Sequence, residues 1–261
     1  MCRESGDICL NFSNCDMKKM ILFMTLISLI SLFKKTVAQV VKDTSRNSAL
    51  SQLMNQDWAC LKCFAEANGK VEPPREGEDR VVFMGNSITI GWSHLNPEFF
   101  EGKPYINRGI SGQTTPQMLI RFRPDVINLK PKVVVILAGT NDIAGNTGYT
   151  SVETIFGNLV SMAELAKANG IRVVLSSVLP VYEYAWRPGM DPVTRIAELN
   201  QRIKEYAKQN NLVYVDYYTP MADERKGLKA SLTLDGVHPT KAGYLVMDPL
   251  VEKAIAEALK N

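Results

Sequence analysis

Histidine is nearly absent: the 261 residues contain two, His94 and His238. Zinc and dinuclear metal sites lean on imidazole ligands, so no metal is expected here. Cysteine is scarce as well. Of the five, Cys2, Cys9 and Cys15 fall at the extreme N-terminus, which leaves Cys60 and Cys63 in Trp58-Ala59-Cys60-Leu61-Lys62-Cys63-Phe64. Two cysteines with so little histidine do not make a structural zinc site. The pair also precedes the first strand, whereas a thioredoxin-like redox motif opens a helix inside a βαβ unit. The expected arrangement is a helix with both thiols on one face, buried or joined in a local disulfide. There is no internal repeat, no low-complexity segment and no basic run interleaved with aromatics, so nothing argues for nucleic acid as a partner. The net charge is only +3, and residues 1–38 carry +2 of it.

A long apolar run is missing too. Lys18-Lys19 precede an apolar stretch from Met20 to Phe33, short for a bilayer span, and Thr36-Val37-Ala38 offers small residues suited to signal peptidase. Residues 1–38 therefore read as an upstream extension and signal peptide, with translation starting at Met17 or Met20 rather than Met1. Such a start would remove Cys2, Cys9 and Cys15. Export is expected, periplasmic or secreted, with no stable membrane insertion after cleavage. Lys34-Lys35, between the apolar stretch and the cleavage site, keeps an uncleaved membrane anchor as the alternative.

What is present is a regular alternation. Residues 39–78 form a polar, partly helical lead-in whose Glu72-Pro73-Pro74-Arg75-Glu76 reads as a linker, and 79–261 form one domain. With 46% hydrophobic residues the chain can bury a full core. Continuous apolar runs predict buried parallel strands near 81–85, 105–108, 132–138, 171–176 and 212–216. Amphipathic stretches at 115–129, 152–169, 191–210 and 240–259 predict helices between and after them. The expected fold is α/β: a three-layer α/β/α sandwich on a five-stranded parallel sheet, flavodoxin-like.

Chemistry-bearing residues gather at the ends of these strands. Val81-Val82-Phe83-Met84-Gly85-Asn86-Ser87 is a buried run that stops at a glycine and presents a serine. Taken alone, such a serine more often caps a helix. Far along the chain, Asp235-Gly236-Val237-His238-Pro239 supplies what a serine nucleophile needs: a base to take its proton and a carboxylate to orient that base. His94, in Gly91-Trp92-Ser93-His94, reads as an ordinary helix or loop histidine. Val133 to Leu137 is followed by Ala138-Gly139-Thr140-Asn141-Asp142, whose Asn141 amide can donate to a developing oxyanion. Asp142 is expected to cap the helix or turn that follows it. Tyr105-Ile106-Asn107-Arg108-Gly109 ends in a glycine whose N–H is free to approach a ligand.

Four separated motifs in this order resemble the SGNH hydrolases, the GDSL family of lipases and acylhydrolases, over roughly Asp79 to the C-terminus. The resemblance implies Ser87 as nucleophile, His238 and Asp235 as base and orienting acid, and Ser87, Gly109 and Asn141 as oxyanion-hole donors. The family's usual Gly-Asp-Ser is Gly85-Asn86-Ser87 here. Neighbouring serine-hydrolase types do not fit. The α/β-hydrolase elbow wants Gly-x-Ser-x-Gly and this chain has Thr89, while in chymotrypsin and subtilisin histidine precedes serine.

The loop Leu179 to Met190 leaves the sheet on the same edge and carries Tyr182, Tyr184 and Trp186, candidates for substrate contact, with Glu183 and Arg187 between them. A lipase for long chains would show a larger apolar lid. The expected substrate is therefore a short acyl ester, acetyl by resemblance, on a small molecule or glycan, with no cofactor. Longer-chain lysophospholipase or thioesterase activity, or a non-catalytic binding role, are the alternatives.

Overall fold

The computed structural model describes residues 14–260, so Met1, Cys2 and Cys9 lie outside the described residues. The chain divides into two units between Gln56 and Asp57. The first contains a single helix among its described residues, α1 (Asn14–Met54). At 1.5 Å per residue its 41 residues extend about 60 Å. Within it Leu22–Lys42 is apolar and, at 21 residues, long enough to cross a bilayer. That segment is longer than the stretch expected to end at Phe33, because the helix runs on through Lys34, Lys35 and Thr36-Val37-Ala38 without a break.

The second unit alternates strands and helices: α2 (Ala65–Gly69), β1 (Val81–Gly85), α3 (Ser87–Leu95), β2 (Tyr105–Gly109), α4 (Thr115–Asp125), β3 (Val133–Leu137), α5 (Thr140–Ile143), α6 (Val152–Ala168), β4 (Arg172–Ser176), α7 (Pro192–Gln209), β5 (Val213–Val215), α8 (Tyr218–Met221) and α9 (Lys241–Lys260). The five strands form one sheet in the order β2-β1-β3-β4-β5, every pair parallel. This is the α/β fold read from the sequence.

Side chains of successive strand residues point to opposite faces. Val82, Met84, Val134, Ile136, Val173 and Leu175 join the core under α4, α6 and α7. Val81, Phe83, Val133, Val135, Val174 and Val213 join the core under α3 and α9. Burial on both faces is why these strands are continuously apolar rather than alternating. The chain leaves β1 for β2 on one side and returns to β3 on the other. Sheets of this kind hold ligands at the carboxyl ends of the strands, where the winding reverses. Ser87 follows β1 and Asn141 lies just past β3.

The lead-in expected for 39–78 is shared between the two units. Residues up to Met54 belong to α1, whereas 57–78 are tied to the sheet. Gln113 Nε2 donates to Ala59 O at 2.8 Å, and Asn68 Nδ2 to Asp125 Oδ1 at 2.7 Å. Arg80 reaches the Glu72 carbonyl at 2.9 Å. Cys60 and Cys63 are joined in a disulfide, but on a tight turn rather than a helix. Cys60 has φ +56°, and the Asp57 carboxylate accepts from the N–H groups of Leu61 and Lys62, so the local hydrogen bonds close a turn instead of propagating a helix.

Candidate active site

Ser87 is the first residue of α3, held there by its neighbours. Asn86 caps the helix, its Oδ1 accepting from Ile88 N–H at 3.0 Å, and its side chain is buried. This is what a residue with a side-chain carbonyl does at an N-cap, and asparagine does it without burying a charge. Gly85 is required by close approach: a Cβ there would lie 2.8 Å from the Leu137 carbonyl oxygen and closer still to Thr89 Oγ1. Among the described residues the Ser87 N–H has no hydrogen-bond partner, as expected for a first-turn amide.

His238 comes to Ser87 from the far end of the chain. Ser87 Oγ lies 2.9 Å from His238 Nε2, and His238 Nδ1 lies 2.6 Å from Asp235 Oδ2. The turn carrying both partners is closed by its own side chains. Asp235 Oδ1 accepts from the N–H groups of Val237 and His238 at 2.9 and 2.8 Å. Thr233 Oγ1 donates to His238 O at 2.8 Å, and Gly236 sits at φ +81°. Partial burial pushes the Asp235 carboxyl up, but the His238 backbone N–H, the His238 ring and the Val237 N–H outweigh it and hold the group at about 2. An ionised carboxylate only accepts, so the imidazole proton sits on Nδ1, and Nε2 is left to accept from the serine hydroxyl.

Asn141 lies past the end of β3, the strand beside β1, at the start of α5 after Gly139, whose φ of +121° few other residues adopt. Its Nδ2 donates one hydrogen to Gln113 O at 2.9 Å. The other has no partner among the described residues.

Gly109 corrects an expectation. Its N–H is already donated to Asn107 Oδ1 at 2.9 Å, so it is not available to an oxyanion. Its glycine identity has another cause, since a Cβ would lie 2.2 Å from Ile90 N and 2.8 Å from Asn86 O. The residue allows α3 to pack on the end of β2. Gly112, three residues on, has the properties sought. It lies exposed at φ +76°, with nothing within 4 Å of a Cβ position and no partner for its N–H among the described residues. Its neighbour Gln113 is the residue that Asn141 grips. The signal in the sequence was a second glycine, in Ser111-Gly112-Gln113, past the strand rather than at its end.

The remaining candidates separate. Tyr184 is not a substrate contact: it is 1% exposed, its hydroxyl 2.8 Å from Thr140 Oγ1 and donating to Thr140 O at 2.9 Å. It pins the loop after β4 against the turn that carries Asn141. Tyr182 and Trp186 are about half exposed on that loop, with Arg225 lying 4.9 Å over the Tyr182 ring. Asp142 caps a different helix from the one expected. Its carboxylate accepts from Thr115 N–H and Oγ1, at the start of α4 rather than after α5. His94 is exposed in the last turn of α3. No group of three or more histidine, cysteine or acidic side chains fit to hold a metal occurs among the described residues.

A five-stranded parallel sheet in the order β2-β1-β3-β4-β5, with a serine, histidine and aspartate brought together past its carboxyl ends, is the arrangement of the SGNH hydrolases. The sequence model of the GDSL-like lipase/acylhydrolase family matches residues 83–246, and the chain belongs to that family. The enzyme class of that family is hydrolysis of ester bonds. The structure is similar to that of a GDSL-like lipase from Bacteroides thetaiotaomicron, with a TM-score of 0.76 and 51% identity over 77% of this chain and 100% of that one. An acetylxylan esterase of Geobacillus stearothermophilus is 28% identical over 69% of this chain and 84% of its own. An uncharacterized lipoprotein of Bacillus subtilis, YqeF, is 38% identical over 41% of this chain. The match spans about half the length of that lipoprotein, 51%.

Proposed function

We propose that this protein is an exported serine esterase that removes short acyl groups, acetyl above all, from carbohydrate. The observation that carries the reading is the Ser87–His238–Asp235 relay, with contacts of 2.9 and 2.6 Å. Ser87 Oγ attacks the ester carbonyl carbon as His238 Nε2 takes its proton. The carbonyl oxygen becomes an oxyanion facing the Ser87 N–H, the Gly112 N–H and the free hydrogen of the Asn141 amide. Collapse expels the sugar alkoxide, which receives the proton from His238. A water molecule, deprotonated by the same ring, attacks the acyl-serine; the second oxyanion collapses, Ser87 Oγ leaves and takes its proton back from His238, and the carboxylic acid is released. Asp235 stays ionised throughout and stabilises the imidazolium. Every proton in this sequence passes between Ser87, His238, the substrate and water, so the proposed reaction calls for no cofactor.

Two observations support the substrate class, and a third supports export. The rim formed by the loop after β4 is amphipathic, with Tyr182 and Trp186 half exposed beside Glu183 and Arg187, which suits a hydroxyl-rich leaving group. The acetylxylan esterase is a relative over most of its length. The apolar, N-terminal Leu22–Lys42 segment supports export, as signal or as anchor. Hydrolysis of p-nitrophenyl esters from acetyl to palmitoyl, together with release of acetate from acetylated xylo-oligosaccharides, tests the reading. Activity should be highest for acetyl and fall with chain length. A maximum at long chains would point instead to a lysophospholipase or thioesterase.

A further inference from the structure

Gln113 lies next to the site, is buried, and takes no part in the reaction as written. Its carbonyl and both polar atoms of its side chain are nevertheless hydrogen-bonded. Its carbonyl accepts from Asn141 Nδ2 at 2.9 Å, and this bond spans from the β2 end to the β3 end, across the strand that carries Ser87. Its side-chain oxygen accepts from Arg121 Nε. Arg121 is itself fully buried, paired with Asp125 at 2.9 Å, and donates to Gly85 O, the last carbonyl of β1, and to Arg108 O, one residue before the end of β2. The side-chain nitrogen of Gln113 donates to Ala59 O at 2.8 Å. Ala59 adjoins the turn closed by the Cys60–Cys63 disulfide and by the Asp57 carboxylate. A second strut, Gln117 Nε2 to Trp58 O at 2.6 Å, ties the same turn to α4.

A carboxamide that donates one hydrogen to a fixed carbonyl has its plane, and so the direction of its other hydrogen, fixed as well. We propose that Gln113 is a positioning residue for ester cleavage: its carbonyl aims the Asn141 amide at the oxyanion, and its side chain, held between Arg121 and the disulfide-closed turn, fixes that carbonyl. The inference rests on the proposed role of Ser87 and Asn141. It assigns to the Cys60–Cys63 turn a part in turnover rather than in stability alone. Donors aimed at a charge that develops only in the transition state act on kcat, with little effect on substrate binding.

The test is kcat and KM for p-nitrophenyl acetate in the full chain carrying Gln113→Met, Asn141→Ala, both together, or Ser87→Ala. Gln113→Met is expected to lower kcat roughly 10-fold and Asn141→Ala roughly 100-fold, each with KM within about twofold. The double variant should be no slower than Asn141→Ala alone, because both changes remove the same aimed donor. Losses that multiply, or an unchanged kcat in Gln113→Met, would overturn the positioning role. Activity surviving in Ser87→Ala would instead strike the proposed mechanism, which keeps the two failures apart. Should Gln113→Met not fold, the Cys60→Ser, Cys63→Ser pair carries the test: a fall in kcat at constant KM supports the proposal, and wild-type kcat overturns it.

Discussion

The two histidines of this chain sit in opposite circumstances. His238 is locked by a turn whose carboxylate, threonine hydroxyl and glycine all act within six residues, and it meets Ser87 across the domain. His94 is exposed at the end of a helix. In hydrolysis of p-nitrophenyl acetate, His238→Ala is therefore predicted to lower kcat at least about 1,000-fold with far-ultraviolet circular dichroism unchanged, and His94→Ala to stay within about twofold. Asn86 gives a second prediction. Asn86→Asp should keep the cap and most of the activity, whereas Asn86→Ala should cost about 1 kcal/mol or more in urea denaturation. The proposed triad was legible because its members lie in short motifs with local causes: a strand that stops at a glycine, and an Asp-Gly-x-His turn. The choice between Gly109 and Gly112 was not. It depends on where the Asn107 side chain goes, and on how closely α3 approaches β2, neither of which is written in the spacing of glycines. Tyr184 was misplaced for a similar reason, since only packing tells an aromatic that lines a cleft from one that anchors its wall.

At the level of elements, strands buried on both faces leave a plain trace, and all five were readable to within a residue. The one-turn helices α5 and α8 were not, because four residues carry no periodicity. Nor was the tie between α5 and α4. Asp142 binds Thr115 over a separation of 27 residues, and a capping carboxylate read along the sequence is naturally assigned to its own neighbours. That tie should make stability respond to pH. Burial raises the Asp142 carboxyl from 3.8 to about 6 against the hydrogen bonds from Thr115. The folded state thus binds this proton more tightly than the unfolded one. The resulting stabilisation is complete below 3.8 and is lost as pH rises through about 6. Asp142→Asn cannot ionise and keeps an oxygen for Thr115, so its stability relative to wild type should improve between about pH 5 and pH 8. Urea midpoints at the two pH values check this, and a difference independent of pH would contradict it.

For the whole molecule, the division between Gln56 and Asp57 separates an apolar helix from a domain with its own two-sided core. A chain beginning at Asp57 is predicted to fold and to retain esterase activity. One beginning at Asp79 should melt at a clearly lower temperature. It would leave Gln113 without Ala59 and would strip Asp125 and Arg108 of their bonds to Asn68, and buried polar groups without partners cost roughly 1–3 kcal/mol each. Thermal unfolding of the two truncations decides between this and a dispensable lead-in. The central claim is that Ser87 is the nucleophile, and covalent trapping addresses it most directly. After reaction with a fluorophosphonate, intact-protein mass spectrometry should find one adduct, peptide mapping should place it on Ser87, and the adduct and the esterase activity should both be missing from Ser87→Ala. An adduct on another residue, or activity retained by Ser87→Ala, would contradict the account.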